Sequence, residues 1–263
     1  MGNTVLIPSW LTVVAWLSLL LSFVSFIYVL RDVLKHPQPM KVMNEVWPLT
    51  TLFGSIVWVK AYKKWGKPKA IAAQKMEKGR DMKMGMASSS TNKNQMEMSD
   101  MKESSMPVSV FIGTCHCGAG CTLADLIIEW LLFFMPGLYV VGGYPWLFKD
   151  NLFAGFVLAF ILAYIIGVSF QYFAIVPMKH LGKKEGIIAA IKADTLSLTS
   201  WQIGMYAIVS ICQLWLFPLW FGGRIEANTP VFWLMMQVAM LAGFCTAYPM
   251  NWFLIKTGIK ERM

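Results

Sequence analysis

Charge is scarce in this chain. Asp, Glu, Lys and Arg make up 14% of its 263 residues against 57% hydrophobic residues, a balance that excludes an ordinary soluble domain of this length. Histidine is scarcer still: His36 and His180 fall in connections and His116 alone adjoins an apolar run, so a paired-histidine haem site lacks its ligands. No Gly-x-x-x-x-Gly-Lys-Ser/Thr phosphate loop occurs, which leaves any transport secondary or passive unless a partner supplies energy. No Cys-x-x-Cys pair occurs either, and this argues against a thioredoxin-like centre. Of the five cysteines, three crowd at 115, 117 and 121 and two lie in apolar runs at 212 and 245, which is not the spacing of a secreted disulfide framework. No charged segment precedes the first apolar run, which is too long for a signal-peptide core, so it is expected to be retained as a span. No basic groove interleaved with aromatics is present, which argues against a nucleic-acid partner. The formal charge of +9 is assigned to connections facing anionic headgroups of a lipid bilayer.

What is present is a series of apolar runs long enough to cross a membrane, so the expected class is all-α, a polytopic helical membrane protein with about six transmembrane helices. Val5–Leu30, Leu123–Tyr139, Phe153–Val176, Thr195–Phe221 and Val231–Ile255 each approach the roughly 20 residues a span needs. The run 46–59 is shorter and ringed by Trp47, Trp58 and Trp65, an interface-anchor pattern; if it is re-entrant the number of spans is five. Three regions follow: an N-terminal membrane segment over 1–59, a Met-rich polar loop over 60–107, and a four-helix membrane domain over 108–263. The connection at 177–194 and the tail hold 7 basic residues against 2 on the opposite side, so the C-terminus is expected in the cytoplasm, with the Met-rich loop on the same side. The basic connection over 179–192 reads as an interfacial piece.

The chemistry concentrates at the opening of the third span. If the chain is helical from Cys117 onward, Cys117, Cys121, Asp125 and Glu129 recur every four residues and share one slowly drifting face. Cys115, His116, Cys117 and Cys121 are thiols and an imidazole, the donors that copper as Cu(I), or zinc, prefers. In the preceding loop Met82, Met84, Met86, Met96, Met98 and Met101 recur at spacings that let an extended strand wrap a soft ion. The competing readings are close packing, because Gly113, Cys117, Gly118, Gly120 and Cys121 are all small, a Met-rich stretch that is only a linker, and a disulfide or reactive thiol. Asp125, Glu129, Gln171, Asp194, Gln202 and Asn251 are expected at similar depth in four spans. Such groups are costly in hydrocarbon unless they face one another or water, so they are read as a shared vestibule, polar path or proton relay, with a structural hydrogen-bond network as the rival.

The motifs His116-Cys-Gly-Ala-Gly-Cys-Thr-Leu, Phe170-Gln-Tyr-Phe, Lys192-Ala-Asp-Thr-Leu-Ser-Leu-Thr with Trp201-Gln, Tyr248-Pro-Met-Asn-Trp and Gly258-Ile-Lys-Glu resemble those of a microbial membrane family classed as a domain of unknown function. The resemblance covers roughly Met40 to Trp65 and Gly113 to Met263. It implies a helical membrane protein and an association with copper proteins, without an activity. The Met-rich insert and Cys115 depart from the family pattern. The leading expectation is therefore an integral membrane protein handling or transporting a soft metal ion, copper first, and not an enzyme. A membrane-embedded thiol or metal-dependent oxidoreductase and a non-catalytic scaffold are the alternatives, and homo-oligomerisation is left open.

Overall fold

The computed structural model describes residues 6–38, 40–67, 105–179 and 182–262. Apolar sequence leaves the backbone no water to bond with, so each long run closes its hydrogen bonds internally as helix. The result is α1 (Ser9–Lys35), α2 (Met43–Ala61), α3 (Met106–Phe134), α4 (Asn151–Lys179), α5 (Lys183–Ile211), α6 (Phe217–Phe221) and α7 (Pro230–Lys256), with no strand among the described residues. A π-helical turn, Cys212–Leu216, carries α5 directly into α6. Thr229 caps α7, its Oγ1 accepting the Phe232 amide at 3.3 Å, and Pro230 occupies the position where no donor is missed.

Five of these helical segments are long and apolar enough to cross a bilayer. The segment α2 is not among them on length and composition, and its geometry independently argues against a crossing. A straight helix would hold Trp47 and Tyr62 about 22 Å apart, yet their rings meet edge to face at 5.6 Å. The reversal is at Ser55, whose φ of 48° breaks the helix. Gly54 beside it is required, because a Cβ there would overlap the Trp58 indole. Both ends of α2 therefore lie at one end of the bundle: Tyr62 donates to Asp32 Oδ2 at 2.8 Å, Lys67 reaches Asp32 Oδ1 at 2.9 Å, and Met43 meets His116. Among the described residues, five helices are thus candidates to cross the membrane and α2 folds back as a hairpin, as the re-entrant alternative expects. Close to the turn, the Gln237 side-chain amide donates to the Leu52 carbonyl at 2.7 Å.

Two boundaries expected from sequence move. The third span begins at Met106 rather than near the cysteines, and the basic piece over 179–192 is not a separate interfacial element, because α5 runs unbroken from Lys183. Residues 62–66 continue the re-entrant segment as a π-helical turn, so the loop region starts after them. The six methionines Met82, Met84, Met86, Met96, Met98 and Met101 lie outside the described residues.

The core is built by α5 against α7 and by α3 against α4, with the hairpin docked on α1, α3 and α7. Trp201 of α5 sits at its centre. Phe53 meets its ring at 5.7 Å and Phe244 at 6.1 Å. Gly118 and Gly243 flank the indole so closely that a Cβ would fall 2.6 Å and 2.8 Å from it. Gly120 lies against Gly167 of α4, where a Cβ would come within 3.2 Å of backbone. Gly118 and Gly120 of the motif thus serve close helix contact, as the packing reading expects of them.

Candidate functional site

Starting the helix at Met106 places the whole Cys/His motif several turns inside α3, and helical geometry then separates its members. Cys115 and Cys117 are about 200° apart around the axis and cannot serve one ion from the same helix. Cys115 is fully buried in the aromatic core. His116 Nε2 lies 3.1 Å from Met43 Sδ. Cys121 is reached by the Gln202 amide at 3.8 Å. Among the described residues no group of three or more His, Cys, Asp or Glu side chains converges in a way that could hold a metal ion. Cys115, His116, Cys117 and Cys121 are thus buried neighbours and not one assembled ligand set.

Cys117 is the member that enters a polar cluster. Its thiol donates to Asp194 Oδ1 at 3.1 Å and lies 2.9 Å from Ser197 Oγ. The Asn251 amide donates to the same Ser197 Oγ at 2.6 Å and to the Ala247 carbonyl at 2.9 Å. Lys260 enters from the far side: Nζ is 3.4 Å from Cys117 Sγ, 3.4 Å from the Gly113 carbonyl and 3.8 Å from Asp194 Oδ1. The lysine side chain is 0% exposed and the aspartate 2%. Helices α3, α5 and α7 with the chain after α7 thus enclose an ion pair around one thiol. Asp194 Oδ2 and Asn251 Oδ1 remain buried with no hydrogen-bond partner. Gly167 of α4 closes the remaining side, where a Cβ would stand 2.6 Å from Asp194 Oδ2.

The local sequence explains how a tail lysine arrives there. After Lys256 the chain turns through Thr257 and Gly258, whose φ of 72° is the left-handed conformation glycine favours. The Ile259 amide bonds back to Leu254 O at 3.0 Å and the Gly258 amide to Ile255 O at 3.2 Å, the paired bonds of a Schellman turn. That turn reverses the chain and aims Lys260 down into the bundle.

Of the residues expected to share a vestibule, Asp194 bonds to Cys117 and Asn251 is linked to it through Ser197, while Gln202 reaches Cys121. Gln171 is buried with both amide atoms unpartnered. Asp125 lines a separate chamber bounded by α1, the hairpin and α7, and Glu129, a further turn along, is only partly buried. Sequence reasoning did not count Lys260, Ser197, the Gly113 carbonyl or Met43 as site groups. The available signal for Lys260 was its place in Gly258-Ile-Lys-Glu, four residues past a span, within reach of a long side chain bending back.

A family profile described as a domain of unknown function, DUF4396, matches residues 108–260. The chain belongs to this family. The matched region holds Cys117, Asp194, Ser197, Asn251 and Lys260, while α1, the re-entrant hairpin and the Met-rich loop lie before it. No curated protein and no solved structure matches the chain.

Proposed function

We propose that this protein handles a soft monovalent cation, Cu(I) being the best chemical fit, at the Cys117–Asp194 site, with Lys260 as a tethered occupant that a cargo ion displaces. The observation that carries this reading is the Lys260 ammonium held at 3.4 Å from a thiol sulfur and 3.8 Å from a carboxylate oxygen. A cation already sits where a cation would bind.

The charges balance in the exchange. With Lys260 in place the site holds one ammonium, one thiol and one carboxylate. When Lys260 withdraws and Cu(I) enters, Cys117 binds it as thiolate, and the thiol proton passes along the existing Sγ to Oδ1 hydrogen bond to Asp194. The site stays neutral and no proton leaves. Zn(II) requires both groups ionised, so its entry releases one proton. Thiolate also selects the softer ion. His116 and Met43, in contact near the same end of the bundle, offer a second pair of soft donors on the approach. The Met-rich loop is the collecting segment in this scheme, and copper proteins are the donors or acceptors it would meet.

Orientation follows from charge. The basic residues around Asp32, the hairpin ends, the start of α5 and the tail share one end of the bundle, and the positive-inside rule assigns that end, with the C-terminus, to the cytoplasm. Loading from the cytoplasm makes export or delivery the direction. With no nucleotide-binding loop in this sequence, movement in this scheme is secondary or passive unless a partner supplies energy. Thiol redox chemistry at Cys117 is the second reading: the ammonium beside the sulfur favours a thiolate, while the burial of the residue opposes it.

The test is anaerobic titration of purified protein with Cu(I), read as metal-dependent stabilisation. Lys260→Met should gain about 2.7 kcal/mol at a hundredfold excess of metal over Kd, the wild type less, and Lys260→Met with Cys117→Ser nothing. A Lys260→Met protein that Cu(I) does not stabilise overturns the reading.

A further inference from the structure

A second polar group of the motif helix faces a different space. Two turns beyond Cys117, about 12 Å along α3, Asp125 lines a chamber of about 350 Å³ between α1, the tip of the re-entrant hairpin, α3 and α7. That volume is at the small end of ligand pockets. Its walls carry the aromatic rings of Trp16, Phe23, Phe53 and Trp233 and the thioethers of Met236 and Met240.

Gln237 and Thr122, polar residues of the chamber wall, have partners, whereas one oxygen of Asp125 has none. Gln237 donates to Ser22 Oγ at 2.9 Å and to the Leu52 carbonyl at 2.7 Å, and accepts from Ser18 at 2.7 Å. Thr122 donates back to Gly118 O at 2.7 Å. Asp125 is 1% exposed and its Oδ2 has no partner. Among the described residues that line the chamber there is no Lys, Arg or His. A carboxylate surrounded by hydrocarbon and aromatic faces, with no counter-charge, is costly in a membrane. The complement to such a site is a positive charge with apolar substituents, because aromatic faces attract cations and exclude water at once.

We propose that this chamber binds a lipophilic organic cation, an ammonium carrying apolar substituents, with Asp125 as its counter-ion. The route of entry fits. Trp16, Leu20 and Phe23 of α1 are more than half exposed on the lipid-facing side, so the chamber opens sideways toward the hydrocarbon and selects ligands already dissolved in it. The hairpin tip contributes Leu52 and Phe53 to the wall, which gives the re-entrant segment a role in shaping the site. Nothing in this proposal depends on metal binding at Cys117.

The experiment compares two labelled probes of the same shape in maltoside micelles, benzyltrimethylammonium and its uncharged carbon analogue neopentylbenzene, each corrected for partition into empty micelles. The wild type should prefer the ammonium by about tenfold. Asp125→Asn should erase the preference, Asp125→Glu should keep it, and Met236→Trp, which fills the chamber, should remove saturable binding of both probes. Equal affinity for the two probes, retention of the preference in Asp125→Asn, or saturable binding of neopentylbenzene alone, the behaviour of an acyl-chain pocket, overturns the proposal. If Asp125→Asn cannot be recovered folded, Met236→Trp decides: ammonium binding that survives it is binding elsewhere.

Discussion

Replacing Lys260 by Met keeps an unbranched apolar stem one atom shorter and removes the ammonium together with its contacts to the Gly113 carbonyl and the Cys117 sulfur, so the coupling between this change and one at Asp194 measures what the buried ion pair does in the metal-free protein. At 3.8 Å and an effective dielectric constant of about 20, the attraction between Lys260 and Asp194 is about 4 kcal/mol. Desolvation of both ions offsets much of that in the intact pair, so the pair itself contributes little net stability. Breaking it is different. Lys260→Met leaves Asp194 buried, with one oxygen unpartnered already and the other holding only the Cys117 thiol, and should cost about 3–5 kcal/mol. Asp194→Asn leaves the ammonium facing a thiol and a carbonyl and should cost a similar amount. The double variant removes both charges and should return to within about 1–2 kcal/mol of the wild type, a coupling of several kcal/mol. The assay is reversible unfolding of the four proteins in mixed micelles, followed by near-ultraviolet circular dichroism. Additive single effects, or single effects below about 1 kcal/mol as for a surface pair, would refute the buried-pair argument and the displacement mechanism built on it.

Other consequences can be measured separately. Cysteines placed at Glu45 and Lys63 should both react with an impermeant thiol reagent from the same side as one at Lys184, and a cysteine at Arg224 from the other; labelling of Glu45 and Lys63 positions from opposite sides would restore a sixth crossing. Gly54→Ala should destabilise the hairpin by about 1–3 kcal/mol, because its Cβ meets the Trp58 ring and the ring cannot retreat from Phe53 and Phe244 without repacking them; an unchanged unfolding midpoint would show that the apex is soft. At the opposite end of the bundle Arg224 donates to Asp150 Oδ1 at 2.8 Å, and this hydrogen bonding holds the Asp150 carboxyl below its usual range. The stabilisation is present above the ordinary Asp pKa of about 3.9 and is lost as pH falls through the lower folded-state value. With the two side chains 38% and 27% exposed, Arg224→Ala should cost under about 1 kcal/mol at neutral pH, and the difference from wild type should vanish in acid.

The helical class and the crossing segments were legible because hydrophobic runs of span length have few alternatives in a bilayer; the last span, expected over Val231–Ile255, is observed over Pro230–Lys256. For 46–59 the sequence left a crossing and a re-entrant segment both open, and the place of the fold-back was not legible. Gly54-Ser55 inside an apolar run is compatible with a straight helix; the backbone at Ser55 and the contact between Trp47 and Tyr62 exclude one. The same limit applies to the metal motif. The segment of Cys117 and Cys121 is helical, as the spacing argument assumed, but which face meets a polar neighbour depends on where α5 and α7 pack. Asp194, Ser197 and Asn251 fall on the Cys117 side, and Cys115 falls among aromatics. One-dimensional clustering of soft donors is a statement about a helix, and a binding site is a statement about its neighbours.

Lys260 shows how a residue can be counted correctly and still be misread. In the sequence it is one of the basic tail residues that bias the topology, exposed to headgroups like Lys256. In the fold its side chain is fully buried, so it contributes no free charge at the surface and should be removed from that count. The topology argument survives the removal, because the re-entrant hairpin brings the basic residues on both of its flanks to the tail end of the bundle, and the opposite end keeps Lys149 and an Arg224 already paired with Asp150. The positive charge withdrawn from the surface reappears as the occupant of a site made by a thiol, a carboxylate and a carbonyl. Its position is set by the backbone turn at Gly258, whose positive φ disfavours any residue with a Cβ. Gly258→Val should therefore act at a distance: the Schellman turn is lost, Lys260 is released, and the cluster responds to Cu(I) as it does in Lys260→Met although every site side chain is intact. A Gly258→Val protein that behaves as wild type toward the metal would mean that the turn does not hold the lysine in place.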